Sequence, residues 1–370
     1  MDDMPNQPDD PGPSDIEIDS SDIEVEISES ESEAEQYSDG EESIKSTRSF
    51  YQNLPHVEEN GRRYCDENYF MPNDETELTR LNIVHQIYLI LQEGRLTLAP
   101  LPSNPRILDI GTGPGDWAIE MSAEYPDATI IASDLGIFDS GLGHVSLPNV
   151  DFQLADAQSQ WTYHEPFDLI HIRGLSGAFN DWPAIYRQAL AHLKSGGYLE
   201  VSEIGPAGET LSIEAESETP NLATLTSALR KAGYAAGYPR DLHHLRKEAF
   251  VNAGFTEINV IERTFPIGLW PEGIHDKTLG KMALIALLEG VEAHSLRPLT
   301  RFAEYTVSDA KELCERVQEE VLSAQRITGR VRIVMGRKPS SYTQRRDDVL
   351  ARARARIQLV HERQAERDRD

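Results

Sequence analysis

The segment from Arg106 to Asp116 constrains the fold more than any other part of the chain, because it sets three alternate glycines directly after a short apolar strand. The predicted strand, Ile107 to Ile110, carries one acidic residue, Asp109, and runs into the turn of residues 111–115. Glycine has no Cβ atom, so this turn can bend sharply and bring its backbone close to a ligand. The dinucleotide-binding fingerprint requires a further glycine where this chain has Asp116. The pattern therefore predicts a strand–turn–helix unit that binds a ligand but does not match the dinucleotide-binding fingerprint.

A second acidic residue, Asp134, ends a predicted strand from Ala128 to Ser133 that is rich in apolar and β-branched residues. A carboxylate at the tip of the second strand, about 20 residues beyond the glycines, is suited to accept hydrogen bonds from ribose hydroxyls. The alternative is that Asp134 only opens a turn, because Asp is common in turns. The glycine turn upstream favours the ribose contact.

Strands and helices continue to alternate after Asp134. Further strands are predicted at Val150–Leu154, Phe167–Ile172 and Tyr198–Val201, with a helix at Trp182–Leu193 that ends in a left-handed cap at residues 194–197. Such alternation predicts an α/β fold with a parallel sheet, whose ligand lies at the carboxyl ends of the strands. Four polar residues fall at such ends: Asp109, Asp134, Asp156 and Arg173.

The net charge of −28 is spread unevenly along the chain. Residues 1–44 hold 17 acidic residues, no Lys or Arg and almost no aromatic residues, so they cannot bury enough apolar surface to offset their ordering entropy. We expect a disordered acidic head at residues 1–48, which either only solvates the chain or docks on a partner protein. A helical lid is expected at 49–100, the main domain at 101–339 and a charged tail at 340–370.

Charge and composition exclude several classes of function. A strongly acidic chain repels the phosphate backbone, so nucleic acid is not expected as a partner. No segment is long and apolar enough to span a bilayer, and the acidic start lacks the features of a secretory signal. The two cysteines, Cys65 and Cys314, show neither a disulfide framework nor a metal-ligand spacing. We therefore expect no metal and an intracellular location, cytoplasmic or nuclear.

Seven short motifs carry a family resemblance that extends from about Tyr51 to Pro339. They are Glu58–Tyr64, Pro72–Glu75, Asp109–Gly113, His171–Gly174, Asp181–Pro183, Leu193–Gly197 and Met335–Pro339. Together they resemble the LaeA-type fungal methyltransferases, which use S-adenosylmethionine (SAM), and the D-x-G-x-G-x-G turn is typical of the class I methyltransferase fold. The chain departs from the family pattern after Asp134, where a Gly-rich turn follows Leu135.

The resemblance implies a Rossmann-like class I fold, with a seven-stranded and mostly parallel sheet that an antiparallel strand at Arg330–Gly336 closes. A helix that begins after Asn73 or Asp74 and runs to about Glu93 would lid the cofactor. An insertion at about residues 204–255 would build the substrate pocket. The expected SAM contacts are Asp109, Gly111, Thr112, Gly113, Gly115, Asp134, Leu135, Asp156, Ala157 and Arg173.

Other residues are expected at the substrate side. Arg62, Tyr64 and Trp182 are predicted to contact the substrate or the lid, although Arg62 has the alternative of an ordinary surface arginine. Asp156, the expected adenine contact, has the alternative of an exposed loop residue. His171 is the best-placed histidine for a catalytic base, since strand alternation puts it on the face of Arg173, and its alternative is a buried, satisfied histidine. A base is needed only if the methyl acceptor must lose a proton.

The resemblance implies two functions, between which the sequence does not choose. One is the methylation of a small secondary metabolite or its precursor. The other is regulation of secondary metabolism from the nucleus, in a complex with velvet-type proteins for which the acidic head is the docking element. A gene within a biosynthetic cluster would favour the first function, and accumulation in nuclei would favour the second.

Overall fold

A computed structural model describes residues 56–136, 138, 147–205 and 215–340, so the expected acidic head and nearly all of the expected tail lie outside the described residues. The strands are β1 (Val57–Glu59), β2 (Arg62–Tyr64), β3 (Arg106–Ile110), β4 (Thr129–Asp134), β5 (Val150–Leu154), β6 (Phe167–Arg173), β7 (Leu193–Gly205), β8 (Thr256–Ile267) and β9 (Ile327–Arg337). The helices are α1 (Glu75–Leu91), α2 (Asp116–Glu124), α3 (Trp182–His192), α4 (Pro220–Ala236), α5 (Lys247–Ala253), α6 (Ile274–Phe302) and α7 (Val307–Ser323), with a 3₁₀ turn at His243–Leu245. Within these residues no helix is both long enough and apolar enough to cross a membrane.

The sheet has the strand order of the predicted fold. β1 and β2 form a separate antiparallel hairpin, and the other seven strands form one sheet in the order β5-β4-β3-β6-β7-β9-β8. Strands β3 to β7 run parallel to one another. β9 lies antiparallel between β7 and β8. The arrangement confirms the predicted class I methyltransferase fold and its antiparallel closing strand.

The central parallel strands β3 and β6 are buried on both faces, because alternate residues pack into two different cores. Ile107 and Leu169 pack with Trp117 of α2 on one face. Their neighbours Leu108 and Ile170 pack on the opposite face, against α3 and α5. This packing holds the carboxyl ends of the strands in place at the edge where the glycine turn lies.

A third core lies among α1, α4, α6 and α7, which pack against β8 and β9. Helix α6 has a proline in its interior, since it runs through Pro298 to Phe302. An interior proline costs a helix roughly 3 kcal/mol. Leu296 and Leu299, on this last stretch, are fully buried, and each such side chain contributes roughly 1.5–3 kcal/mol. Their burial offsets the cost of the proline.

The predicted left-handed helix cap at residues 194–197 is wrong. α3 ends at His192, and β7 begins at once with Leu193. Gly196 does adopt a positive φ of 86°, but its N–H donates to Lys338 O at 3.0 Å. The glycine thus shapes the contact between β7 and the segment after β9, not the end of a helix.

Candidate active site

The glycine turn between β3 and α2 has the backbone that its sequence predicts. Gly111, Gly113 and Gly115 all have positive φ, at 70°, 59° and 94°, a backbone conformation that residues other than glycine rarely adopt. A Cβ atom on Gly111 would also lie 2.5 Å from Leu175 Cδ1, whereas one on Gly113 would meet Leu81 Cδ1 at 3.7 Å. The turn therefore needs glycine for its conformation throughout, and for space at Gly111.

Asp134, at the end of β4, binds the backbone of two turns. Its Oδ2 accepts from Gly113 N–H at 2.8 Å, and its Oδ1 accepts from Gly136 N–H at 3.0 Å. Burial raises the pKa of this carboxyl, and the two backbone donors oppose that rise. The contacts give Asp134 a role in holding the turns. Each carboxylate oxygen keeps a second lone pair for a ligand, and the predicted ribose contact stays a prediction.

His171 lies beneath the glycine turn and not at a cavity wall. Its Nδ1 is 2.7 Å from Asp109 Oδ1, and its ring stacks on Trp117 at 3.9 Å with an interplanar angle of 5°. His171 is 1% exposed and Asp109 3%. These contacts match the alternative of a buried histidine whose Nδ1 is satisfied, and the predicted base role stays a prediction.

Arg173, at the end of β6, brings a positive charge to the same edge of the sheet. Its Nη2 donates to His85 Nδ1 at 3.1 Å, and its guanidinium lies 4.9 Å from the ring centre of Tyr88. Burial lowers the pKa of Arg173. No described carboxylate lies within ion-pair distance of it, so this guanidinium is suited to an acidic group on a ligand.

A cavity of about 360 Å³ opens beside the glycine turn. Thr112, Asp134 and Arg173 line it on the side of the sheet. Helices α1, α4 and α6 supply apolar walls, with the lining residues Leu81, Val84, Ile87, Leu222, Leu225, Leu229, Ala283, Ala286 and Leu287. Helix α1 thus forms one wall of this cavity, and its role as a lid over the cofactor stays a prediction. The expected insertion at 204–255 supplies the α4 wall and Arg240, whereas α6, which forms another wall, lies outside it.

A second cavity of about 110 Å³ is lined by Leu135 and Asp156, two of the expected adenine-side contacts. Both cavities share Tyr69, Phe70 and Arg240. Asp156 is exposed, and its Oδ1 accepts from Gln158 N–H at 2.8 Å, which makes it a turn residue in this structure. Its contact with adenine stays a prediction. Ala157 lines neither cavity, and its carbonyl accepts from Trp161 Nε1 at 2.8 Å.

The three residues that were predicted to contact the substrate or the lid make contacts within the protein and away from both cavities. Arg62 Nη2 donates to Asp74 Oδ1 at 2.9 Å, and Asp74 caps helix α1. Tyr64 is fully buried, with the guanidinium of Arg297 3.5 Å above its ring. Trp182 stacks on His244 at 3.9 Å. None of the three lines either cavity, so their predicted substrate contacts gain no support.

Several charged residues that line the main cavity, the one of about 360 Å³, were not predicted from the sequence. The walls that α1, α4 and α6 supply are called the helical wall below. Glu77 and Arg80 form a buried pair within α1, with Oε–N distances of 2.7 and 2.8 Å. Glu203 of β7 lines the cavity, where its Oε1 accepts from Leu175 N–H at 2.9 Å. Arg240 and His294 line it as well. No motif marks these residues, because only the packing of distant segments brings them to one cavity.

Comparisons with known proteins agree with this geometry. Residues 83–256 match the family model of a methyltransferase domain. Methyltransferase pytC of Aspergillus terreus is 33% identical, over 71% of this chain and 81% of that protein. The secondary metabolism regulator laeA of Monascus pilosus is 34% identical, over 73% and 74%. The protein-methionine methyltransferase laeA of Emericella nidulans is 31% identical, over 72% of each.

Proposed function

This chain belongs to the LaeA-type family of SAM-dependent methyltransferases, and from that membership we propose that its methyl acceptor is a small apolar secondary metabolite or a precursor of one. SAM is its cofactor and methyl transfer its reaction. The observation that carries the proposed acceptor is the cavity of about 360 Å³, which begins at the glycine turn and continues between three apolar helix faces. Enclosed, mostly apolar cavities with few polar groups suit small molecules.

The residues at the sheet edge fit the cofactor. Thr112 lines the cavity, and its Oγ1 is buried without a hydrogen-bond partner among the described residues. Arg173 offers its charge to the methionine carboxylate, and Asp134 offers carboxylate oxygens to the ribose. We assign the adenine to the side of Leu135 and Asp156, which line the neighbouring cavity. When bound, SAM supplies a methyl group that is activated by the positive charge on its sulfur.

The chain contributes mainly alignment and exclusion of water. Well-oriented groups gain roughly 7–11 kcal/mol over free encounter, and helices α1, α4 and α6 supply the walls that orient an apolar acceptor. For an acceptor that must lose a proton, we assign the base role to Glu203, because it lines the cavity and His171 does not. The proton would pass from the acceptor oxygen or nitrogen to the carboxylate, whose Oε1 lies 3.5 Å from His244 Nε2.

Substitution of Glu203 tests this base role. Glu203→Gln should lower turnover by about 10²- to 10⁴-fold, the usual share of general base catalysis. Affinity for S-adenosylhomocysteine (SAH), measured by calorimetry, should stay unchanged. Normal turnover in a folded Glu203→Gln variant would refute the base role, and the protein would then contribute to catalysis only by aligning the reactants.

A labelling experiment tests the proposed acceptor class. The full chain is incubated with methyl-labelled SAM and a cell extract from a producing strain that lacks the gene. Label should appear in an organic-soluble small molecule, and the variant Gly113→Val should transfer none. Label found only in protein would refute the proposal and point to the acceptor that the name of the Emericella nidulans relative states.

A regulatory function is the second candidate, and the name of the Monascus pilosus relative, a secondary metabolism regulator, favours it. In this case the chain would act in the nucleus with a velvet-type partner, through an acidic head that lies outside the described residues. Purification of the tagged full chain from nuclei, beside a chain without residues 1–44, tests it. A partner that the full chain retains and the shortened chain loses would support regulation, and equal recovery would refute head-mediated docking.

A further inference from the structure

Arg240 brings to the main cavity a buried positive charge that has no acidic partner among the described residues. It is 6% exposed. Its Nη1 donates to His294 O at 2.7 Å and its Nη2 to His294 Nδ1 at 2.9 Å, while its guanidinium lies 4.3 Å from the ring centre of Phe70. Two of its five N–H donors are thus used, both on uncharged acceptors.

The fold makes room for this arginine. A Cβ atom on Gly177 would lie 2.7 Å from Arg240 Cγ, and one on Gly233 would lie 3.0 Å from it. Gly177 follows β6 and Gly233 lies in α4, so two distant segments lack a side chain where the arginine passes. A side chain at either position would therefore crowd the stem of the arginine.

Arg240 differs from the other arginines of the cavity because neither an acidic residue among the described residues nor the cofactor is assigned to it. Arg80 is paired with the carboxylate of Glu77, and Arg173 is assigned above to the cofactor carboxylate. A buried cation without a counter-charge is costly, and an anionic ligand offsets that cost. Arg240 is the cation that remains for the methyl acceptor.

His294 adds a second donor beside Arg240. An arginine N–H always donates, so His294 Nδ1 must accept, and the neutral ring then carries its hydrogen on Nε2. Burial, together with the charges of Arg80 and Arg240, lowers the pKa of His294 well below 6.5 and keeps the ring neutral. His294 lines the cavity, so its Nε2–H and the free N–H groups of Arg240 form one set of donors.

The acidic residues of the cavity do not compete for this set. Glu77 is held by Arg80, Asp134 by the backbone donors of the glycine turn, and Glu203 by Leu175 N–H. Burial raises the pKa of Asp116, and the charge of Arg173 opposes that rise. None of the four carboxylates lies within ion-pair distance of Arg240.

We propose that Arg240 and His294 bind an acidic oxygen of the methyl acceptor, so that the substrate class is an apolar molecule with one carboxylate or ionised enol or phenol. This inference rests on the proposed function and narrows its acceptor. The apolar walls hold the body of the molecule, and the two donors fix its acidic end.

A pair of matched probes tests the inference without a variant. Octanoate and octanamide are similar in size, but only octanoate carries a charge. Each is titrated into the full chain saturated with SAH, which occupies Arg173 under the proposed function. Octanoate should bind about ten- to a hundredfold more tightly, the effect of one charge-assisted hydrogen bond. Equal affinities would overturn the inference.

Variants then show which residue causes the preference for octanoate over octanamide. Arg240→Met should make the affinities for octanoate and octanamide equal, and Arg240→Lys should retain part of their difference. The control Arg316→Met, a change on the exposed face of α7, should retain the whole difference. A preference that survives Arg240→Met would overturn the inference. So would a large loss of SAH affinity in Arg240→Met, because Arg240 would then belong to the cofactor. Failure of the unaltered chain to bind SAH would refute the cofactor assignment instead, which separates the two failures.

Discussion

The carboxyl-end edge of the sheet and the helical wall above it hold their polar groups in different ways. At the edge, the glycine turn is held by a carboxylate that binds nearby backbone: Asp134 accepts from Gly113 and Gly136, which are within 21 residues of it. Among the helices, side chains bind other side chains or distant segments, as Arg240 binds His294 across 54 residues. The glycine turn thus depends on local backbone shape, whereas the helical wall depends on the packing of helices.

Substitutions in the two regions should therefore act on different properties of the protein. A changed charged side chain among the helices leaves its partner buried without a counter-charge and lowers stability. A changed glycine at the edge alters the surface that meets the cofactor, so the affinity for the cofactor falls more than the stability.

The largest effect is expected for the buried pair of α1. Arg80→Met leaves Glu77, which is 1% exposed, without its counter-charge and should lower the free energy of unfolding by about 3–5 kcal/mol. Urea denaturation measures the change. Arg316→Met removes an exposed pair with Glu312 and should cost no more than about 0.5 kcal/mol. Similar losses in the two variants would break the comparison.

His171→Ala should lower stability and SAH affinity together, since it removes the stack on Trp117 and leaves Asp109 without its partner. The expected loss of stability is about 3 kcal/mol by thermal or urea unfolding. His244→Ala is the control, because it removes a similar stack on Trp182 and should spare SAH affinity. A His171→Ala variant that loses turnover alone would instead support the predicted base role.

Gly113→Val should weaken SAH binding on the order of a hundredfold, or about 2.7 kcal/mol. A β-branched residue is a genuine outlier at positive φ, and its side chain blocks the approach of the ligand to the turn. Gly61→Val is a matched control, because Gly61 has a φ of 82° and open space around it. Calorimetry should find full affinity in the control, and full affinity in Gly113→Val as well would refute the cofactor site.

The smallest effect is a dependence of stability on pH. Burial lowers the pKa of His85, and lowers that of His294 well below 6.5, so the folded protein keeps both rings neutral while the unfolded chain binds protons. Stability is therefore present above pH 6.5 and is lost as the pH falls below it, by up to about 1.4 kcal/mol per pH unit for each histidine. Urea titrations between pH 7.5 and 5.5 measure the slope. His294→Gln should reduce it and His56→Gln should not, and a flat profile would contradict the account.

The sequence predicted most of the fold and the edge of the site. Periodicity placed the strands from β3 to β7, and the glycines placed the turn at residues 111–115. It misjudged the stretch after α3, because Gly196 serves a contact with Lys338, 142 positions later. The sequence also does not show that α6 continues past Pro298, since the burial of Leu296 and Leu299 against other helices is not visible in a local pattern.

Sequence alone was enough to predict the class I fold, the glycine turn and the position of Asp134 at the end of a strand, because these depend on patterns within a short span of chain. Only the tertiary structure decided that His171 is buried beneath the turn and that Arg240 reaches the cavity. It also decided which helices form the wall. The reason is physical: burial and charge pairing are properties of neighbours in space, and the residues of the wall come from segments that folding alone brings together.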